Sequence, residues 1–445
     1  MTMRPTLLQQ RERLRRKEVT SATLVAQAIA CIRDPQGEGV RAFVGGASAA
    51  AQAQAESADL LASHGIGGPL SGLPIAIKDL FDVQGEVTRA GARVLGETPA
   101  VRDGAVAARL RAAGAVLIGR TNMSEFAYTG VGTNPHYGTP SNPWDRATGR
   151  TPGGSSSGAA VAVADGMAIA AIGTDTGGSC RIPAALCGLV GFKPTSGAIP
   201  VDGMVPLSGS YDSVGSLANS VQCCALLDQV MSGRDEVAVQ PADLKGLRVG
   251  LPVNLVLDEL EPEVAARFEI FKQTLAAAGA SLIPVSLESY ARLPELAVNG
   301  GIVAAEAYAW HAQLLAEHAE NYDPLVLGRI QFGAKTTAAE YLGLLDLRSV
   351  LMRLFERETR GFDVLAMPTV PMVAPPIALL AEADEFYRVN RLLLRNTAPA
   401  NIFNTGAISL PFGTPGQVPV GMMLVGKQGA DDRLLSIAEA VFHMF

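Results

Sequence analysis

Two serines, Ser155 and Ser179, each close a glycine-rich turn, and the stretch that holds them, Thr151 to Arg181, is where this chain could do chemistry. The first turn reads GGSSSG and the second TDTGGS. Between them an alanine- and valine-rich run has the composition to leave as a buried helix and return as a strand, which would bring the two hydroxyls to one point. Most glycine turns are only turns. Here the second follows an apolar, strand-like run, so its successive amide N–H groups are free to converge on an anion. A serine at the end of such a nest can attack a carbonyl carbon while the amides hold the oxygen that becomes negative.

The attack needs a base. The five histidines, His64, His136, His311, His318 and His443, have no convincing acid partner near them in sequence. Upstream, in Gly72–Asp79 (GLPIAIKD), a short β-rich apolar run delivers Lys78 into the interior. A strand-end lysine usually snorkels to water; two serine turns downstream give this one weight. To accept a proton it must be neutral, so burial has to bring its pKa from roughly 10.4 to about 7 or 8, a shift worth about 4 kcal/mol. Two rivals compete at this point. Gly154–Gly158 also satisfies G-x-S-x-G with Ser156 as an esterase nucleophile, which would demand a late histidine and finds only His443. Cys180 could replace Ser179 as nucleophile, without a histidine to activate it.

Four ordered segments, GLPIAIKD, GRTNMSEFAYTGVGTNPHYGTPSNPWD, RTPGGSSSG and GTDTGGSCRIPAALCGLVGFKPTSG, resemble those of the amidase signature family of serine hydrolases, which use a Ser-Ser-Lys triad. The resemblance implies Ser179 as nucleophile, Ser155 as bridging serine and Lys78 as base, with the backbone amides of Thr176, Gly177, Gly178 and Ser179 as oxyanion hole. It implies that Asp175 and Arg181 buttress the turn, where spacing alone suggests a surface pair. The Met123–Gly130 segment matches a part that lines the acyl pocket, giving Met123, Tyr128, Thr129 and Gly130 as substrate contacts. The implied fold is α/β, a central mixed, largely parallel β-sheet covered by helices on both faces. The implied activity is cleavage of C–N bonds in small neutral amides, extending to anilides, esters and aryl carbamates (a urethanase), with no cofactor and no metal. The amidase component of a tRNA-dependent amidotransferase and a non-catalytic binding module are the remaining alternatives. Two departures stand out: GGSSSGA where many members have GGSSGGS, and a compressed Asn404–Pro411 that bears on pocket shape.

The elements that must position these residues can be read in outline. With 445 residues and 48% hydrophobic composition the chain can bury a large core. A net charge of -7 argues against a general nucleic-acid or anionic-membrane binder, leaving a small molecule as partner and a monomer or homodimer as the working form. The charged N-terminus lacks the apolar core of a secretory signal, and Cys31, Cys180, Cys187, Cys223 and Cys224 are odd in number and lack metal-type spacing, which together suggest a cytoplasmic protein. We expect one domain: a helical layer over 1–65, with Ser21 capping one helix and Ser48 opening another; a catalytic core over 66–230 in which strands and helices alternate around a mainly parallel sheet; a helical excursion over 244–362; and a return to the sheet over 363–445. Glu261–Ala278, with Pro262 at its start, Gly279 at its end and Val264, Phe268, Phe271 and Leu275 on one face, is the clearest helix.

Overall fold

The computed structural model describes residues 4–413 and 416–444. Strands β1 (Phe43–Ala47), β2 (Pro74–Lys78), β3 (Val116–Thr121), β4 (Ala170–Thr174), β5 (Val190–Lys193), β6 (Val214–Ala218), β7 (Arg248–Pro252), β8 (Ser281–Val285), β9 (Val364–Pro368), β10 (Ala407–Phe412) and β11 (Val420–Val425) form one sheet. Their order is β1-β3-β2-β4-β6-β5-β10-β11-β9-β7-β8. The class is mixed α/β, as expected, but the parallel part is smaller than the strand–helix alternation suggests. β2 runs parallel to β3 and β4, and β7 to β8 and β9. From β4 through β6, β5, β10 and β11 to β9 every neighbour is antiparallel. Connections such as β5 to β6 return without a helix between them, so direction reverses in the middle of the sheet.

Both faces are covered. Along β2, Ile75 and Ile77 join the larger apolar cluster with Val106, Leu110 and Val221, whereas Ala76 joins a second cluster with Ala159 and Val163. Side chains alternate across a strand with a period of two, so Lys78 falls on the Ala76 side. That side is covered by the helix Ser157–Asp165, which leaves the first serine turn and is followed by β4. The helix lies close because Gly158 lets it: a Cβ there would stand 2.3 Å from the Ala42 carbonyl oxygen and 2.6 Å from the Asn122 nitrogen. It is a core element, and among the described residues no helix is long and apolar enough to cross a membrane.

Four local expectations need correction. The N-terminal layer is not wholly helical, because Phe43–Ala47 pairs antiparallel with β3 as the sheet's edge strand. The helical excursion contributes β7 and β8 to the sheet. The helix Ser21–Arg33 is capped by Thr20, whose hydroxyl accepts from Thr23 N–H; Ser21 Oγ instead donates to the Gly72 carbonyl at 2.8 Å. The second helix begins at Ala51 with no side-chain cap, and Ser48 Oγ turns to Glu86. The helix Pro262–Ala277 forms where expected, with Val264, Phe268, Phe271 and Leu275 buried.

Candidate active site

β2 and β4 are adjacent and parallel, with Ile77 opposite Ile172, so their C-terminal ends deliver Lys78 and Thr174 side by side. Lys78 is fully buried. Its Nζ donates to Ser155 Oγ at 2.7 Å and to Thr174 Oγ1 at 2.9 Å, and no carboxylate pairs with it among the described residues. Burial pushes its pKa down to about 8, against the opposing pull of Asp175 and Asp212. A lysine held this way is neutral in a substantial fraction of molecules near physiological pH.

The two serine turns meet. Ser156 N–H donates to the Ser179 carbonyl at 3.2 Å, and the Gly154–Ser155 peptide bond is cis. Within the second turn, no acceptor takes the amide N–H groups of Thr176, Gly177, Gly178 or Ser179 among the described residues. Four unclaimed donors in succession are of the kind that can hold an anion. Gly178 has φ of +138°, and a Cβ there would stand 2.2 Å from Thr397 Oγ1, so both backbone angle and space require glycine. Thr176 Oγ1 donates to Asp212 Oδ1 at 2.5 Å, while Asp212 Oδ2 accepts from the Leu207 and Ser208 amides. Burial pushes the Asp212 carboxyl up to about 6 in spite of these donors.

Behind the turn, Asp175 and Arg181 are both fully buried rather than a surface pair. Arg181 Nη2 and Nε reach the two Asp175 oxygens at 2.8 and 3.0 Å, and Asp175 Oδ2 also accepts Cys180 N–H. Arg181 reaches further, to the Thr397 carbonyl and Asn401 Oδ1, tying the turn to the C-terminal third of the chain. Burial raises the Asp175 pKa, but the Arg181 guanidinium outweighs it and holds the carboxyl at about 2. Removing one member of a buried pair strands the other charge, so Arg181→Leu is expected to cost about 3–5 kcal/mol, read as a lower urea midpoint at unchanged slope.

A cavity of about 230 Å³ opens beside the turn, with Thr176, Gly177 and Ser179 in its wall. Tyr128, Thr129 and Arg329 also line it, and Leu207, Leu296 and Ile302 make much of the rest apolar. The Ser179 hydroxyl makes no hydrogen bond within the chain among the described residues, and of the serines in the two turns Ser179 is the one that lines the cavity.

The amidase family model matches residues 34–435. The chain belongs to the amidase family. It is 37% identical over 438 residues to a 2-amino-5-chloromuconic acid deaminase of Comamonas testosteroni, covering 96% of this chain and 93% of that protein. It is 33% identical to a glutamyl-tRNA(Gln) amidotransferase component from Roseiflexus sp. (strain RS-1), covering 98% of this chain and 95% of that protein. A crystal structure of an amidase superposes with a TM-score of 0.88 at 32% identity, covering 98% of this chain and 99% of that one. It is an enzyme family of hydrolases acting on amides, so neither the binding-module alternative nor an α/β-hydrolase esterase stands.

The amidase geometry agrees with that exclusion. Ser156 is fully buried, its hydroxyl donates to the Thr174 carbonyl at 3.5 Å, and it does not line the cavity. None of the five histidines hydrogen-bonds to a serine of either turn among the described residues; His136 and His443 bond to Glu125 and Glu439, and His311 to Tyr322. The Cys180 thiol is buried and pushed up to about 12, which removes it as a nucleophile. Of the four expected pocket residues, Tyr128 and Thr129 line the cavity and Met123 and Gly130 do not. Met123 is turned into the core, and Gly130 donates its N–H to Asn390 Oδ1 at 2.8 Å. Of the compressed C-terminal region, the cavity meets the preceding Ala398 and Ile402 rather than Asn404–Pro411. Sequence reasoning missed Thr174, Asp212, Arg329 and Thr397. Thr174 had a signal, a hydroxyl at the end of the run expected to return as a strand into the second serine turn; the others reach the site from outside the two turns.

Proposed function

We propose that this chain hydrolyses the C–N bond of small amides through an acyl-enzyme on Ser179. The observation that carries the reading is the 2.7 Å contact between buried Lys78 and Ser155, set beside four unclaimed amides and a serine on a cavity. Neutral Lys78 takes the Ser155 proton as Ser155 takes the Ser179 proton, and Ser179 Oγ attacks the carbonyl carbon. The amides of Thr176 to Ser179 hold the oxyanion. As the tetrahedral intermediate collapses, Ser155 gives a proton to the departing amine and recovers one from Lys78. Water then attacks the acyl-enzyme over the same path in reverse. The Ser155 and Ser179 hydroxyls share no hydrogen bond among the described residues, so the relay requires that contact to form when substrate is seated, as catalytic hydrogen bonds often do. Esters and aryl carbamates present the same electrophile and fall within reach of this chemistry.

The test is mass spectrometry with peptide mapping after exposure to a fluorophosphonate. An adduct on Ser179 in the wild type that disappears in Lys78→Ala is the expected result; an adduct on Ser156, or one indifferent to Lys78, overturns the reading. The similarity to an amidotransferase component over nearly the whole chain favours a second reading, in which the ammonia released here is passed to a partner. Amide hydrolysis at full rate by the purified chain alone would count against it.

A further inference from the structure

Tyr211 lines the cavity that holds Ser179, and the residue is only 5% exposed. A buried tyrosine hydroxyl usually finds a partner. Other phenols of this chain do: Tyr137 donates to the Ala92 carbonyl at 3.0 Å, Tyr341 donates to Glu306 at 2.7 Å, and Tyr322 bonds to His311 at 2.9 Å. The Tyr211 hydroxyl makes no hydrogen bond within the chain among the described residues, yet it is not sealed from solvent. The cavity is where it can meet a partner.

The ring is held in place from several sides. The Arg348 guanidinium lies 4.4 Å from its centroid and is itself tied to the Ile402 carbonyl at 2.9 Å. Just before Tyr211, Ser210 N–H donates to Glu306 at 3.0 Å; just after it, Asp212 accepts from Thr176 Oγ1 at 2.5 Å. Thr176 belongs to the turn that ends in Ser179, so this loop sets the phenol at a fixed offset from the nucleophile. Burial pushes the Tyr211 phenol up to about 12 against the pull of Arg348, which leaves it a donor at neutral pH. The carboxylates of Asp212 and Glu306 on the same loop disfavour an anion at this end, so the acceptor that fits is uncharged. Leu296 and Ile302 share an apolar cluster with Tyr211 and line the cavity too. In a primary amide the leaving group is ammonia, so the acyl part alone must fill that apolar space. We propose that this cavity takes amides whose acyl part carries an uncharged oxygen acceptor such as an ether, which receives a hydrogen bond from Tyr211. The inference rests on the amide-hydrolase reading and narrows its substrate class.

Titration calorimetry on Ser179→Ala, which holds substrate without turnover, tests it. The ligands are primary alkanamides with a methoxy group two to four methylenes from the carbonyl, each paired with the amide that has CH₂ in place of the ether oxygen. Adding Tyr211→Phe should lower the affinity ratio of the best ether to its match by about 2- to 10-fold, the span of one net hydrogen bond. A ratio that Tyr211→Phe leaves alone at every chain length, an equal loss for both members of the pair, or no binding of any ether overturns the inference. The equal loss is what a merely structural phenol would give. An ether amide whose affinity depends on Tyr211 yet which the wild type does not hydrolyse supports the subsite and sinks the hydrolase reading instead.

Discussion

Ser179→Ala is expected to lower kcat for a good amide substrate by about 10⁴-fold or more, and Ser155→Ala to lower the acylation rate by a similar factor. The size follows from what remains. With Ser179 gone the free amides of Thr176 to Ser179 still stabilise an oxyanion, so turnover falls to the level that oxyanion stabilisation and binding alone sustain. Removal of Ser155 leaves Ser179 in place but cuts it off from Lys78, whose Nζ reaches Ser155 and Thr174 and no other hydroxyl among the described residues. Residues that act as one unit are non-additive, so the double variant should be no slower than the worse single one. Burst kinetics with a p-nitrophenyl ester or p-nitroanilide, which separate acylation from deacylation, give the measurement. Near-normal acylation in Ser155→Ala would remove the relay and leave Ser155 as a spacer.

What the sequence disclosed and what it concealed divide along a physical line. Lys78, Ser155 and Ser179 were legible because each sits in a local pattern: an apolar strand ending in lysine, and two glycine turns joined by a run that can cross the core and return. Residues that act across the fold were not. Arg329, Thr397 and Asn401 meet the nucleophile turn or its cavity from more than a hundred positions away, and no periodicity announces such a contact. Spacing alone reads Asp175 and Arg181 as a surface pair for the same reason, because what makes Arg181 tolerable in the core is the Thr397 carbonyl and the Asn401 amide oxygen, and only the family resemblance gave the two residues a supporting role. Short strands were lost where the pattern is weak. β1 reads FVGGA, and its two glycines carry no side chains to mark an inner and an outer face. Thr20 against Ser21 is a one-residue choice between adjacent hydroxyls, decided by whether a carbonyl such as that of Gly72 stands nearby.

The pH profile offers the sharper trial of Lys78, because one proton sets both the activity, which climbs up to pH 8, and the stability, which climbs above it. With a pKa of about 8 in the folded chain, kcat/KM should rise about tenfold per pH unit below 8 and level off above it. Lys78→Met should be close to inactive at every pH and lose the inflection. Lys193 is the lysine most easily confused with it, since burial brings its pKa down to about 7, yet its Nζ donates to the Pro194 carbonyl and hydrogen-bonds to neither serine among the described residues. Lys193→Met should therefore keep an inflection near 8. The stability argument runs on the same proton. The folded pKa lies below the unfolded value of about 10.4, so between pH 8 and 10.4 the unfolded chain binds more protons and stability must rise with pH. Below pH 8 the folded state carries the full penalty of a buried ammonium, on the order of 3 kcal/mol, and Lys78→Met escapes it. The methionine variant leaves the Ser155 and Thr174 hydroxyls without their partner at any pH, a constant offset that cannot imitate a slope. Denaturant unfolding of both proteins at pH 7 and at pH 10 should thus show the wild type gaining on the variant as pH rises. A difference that stays flat across that range would mean that Lys78 keeps its proton in the folded chain, and a lysine that keeps its proton cannot be the base.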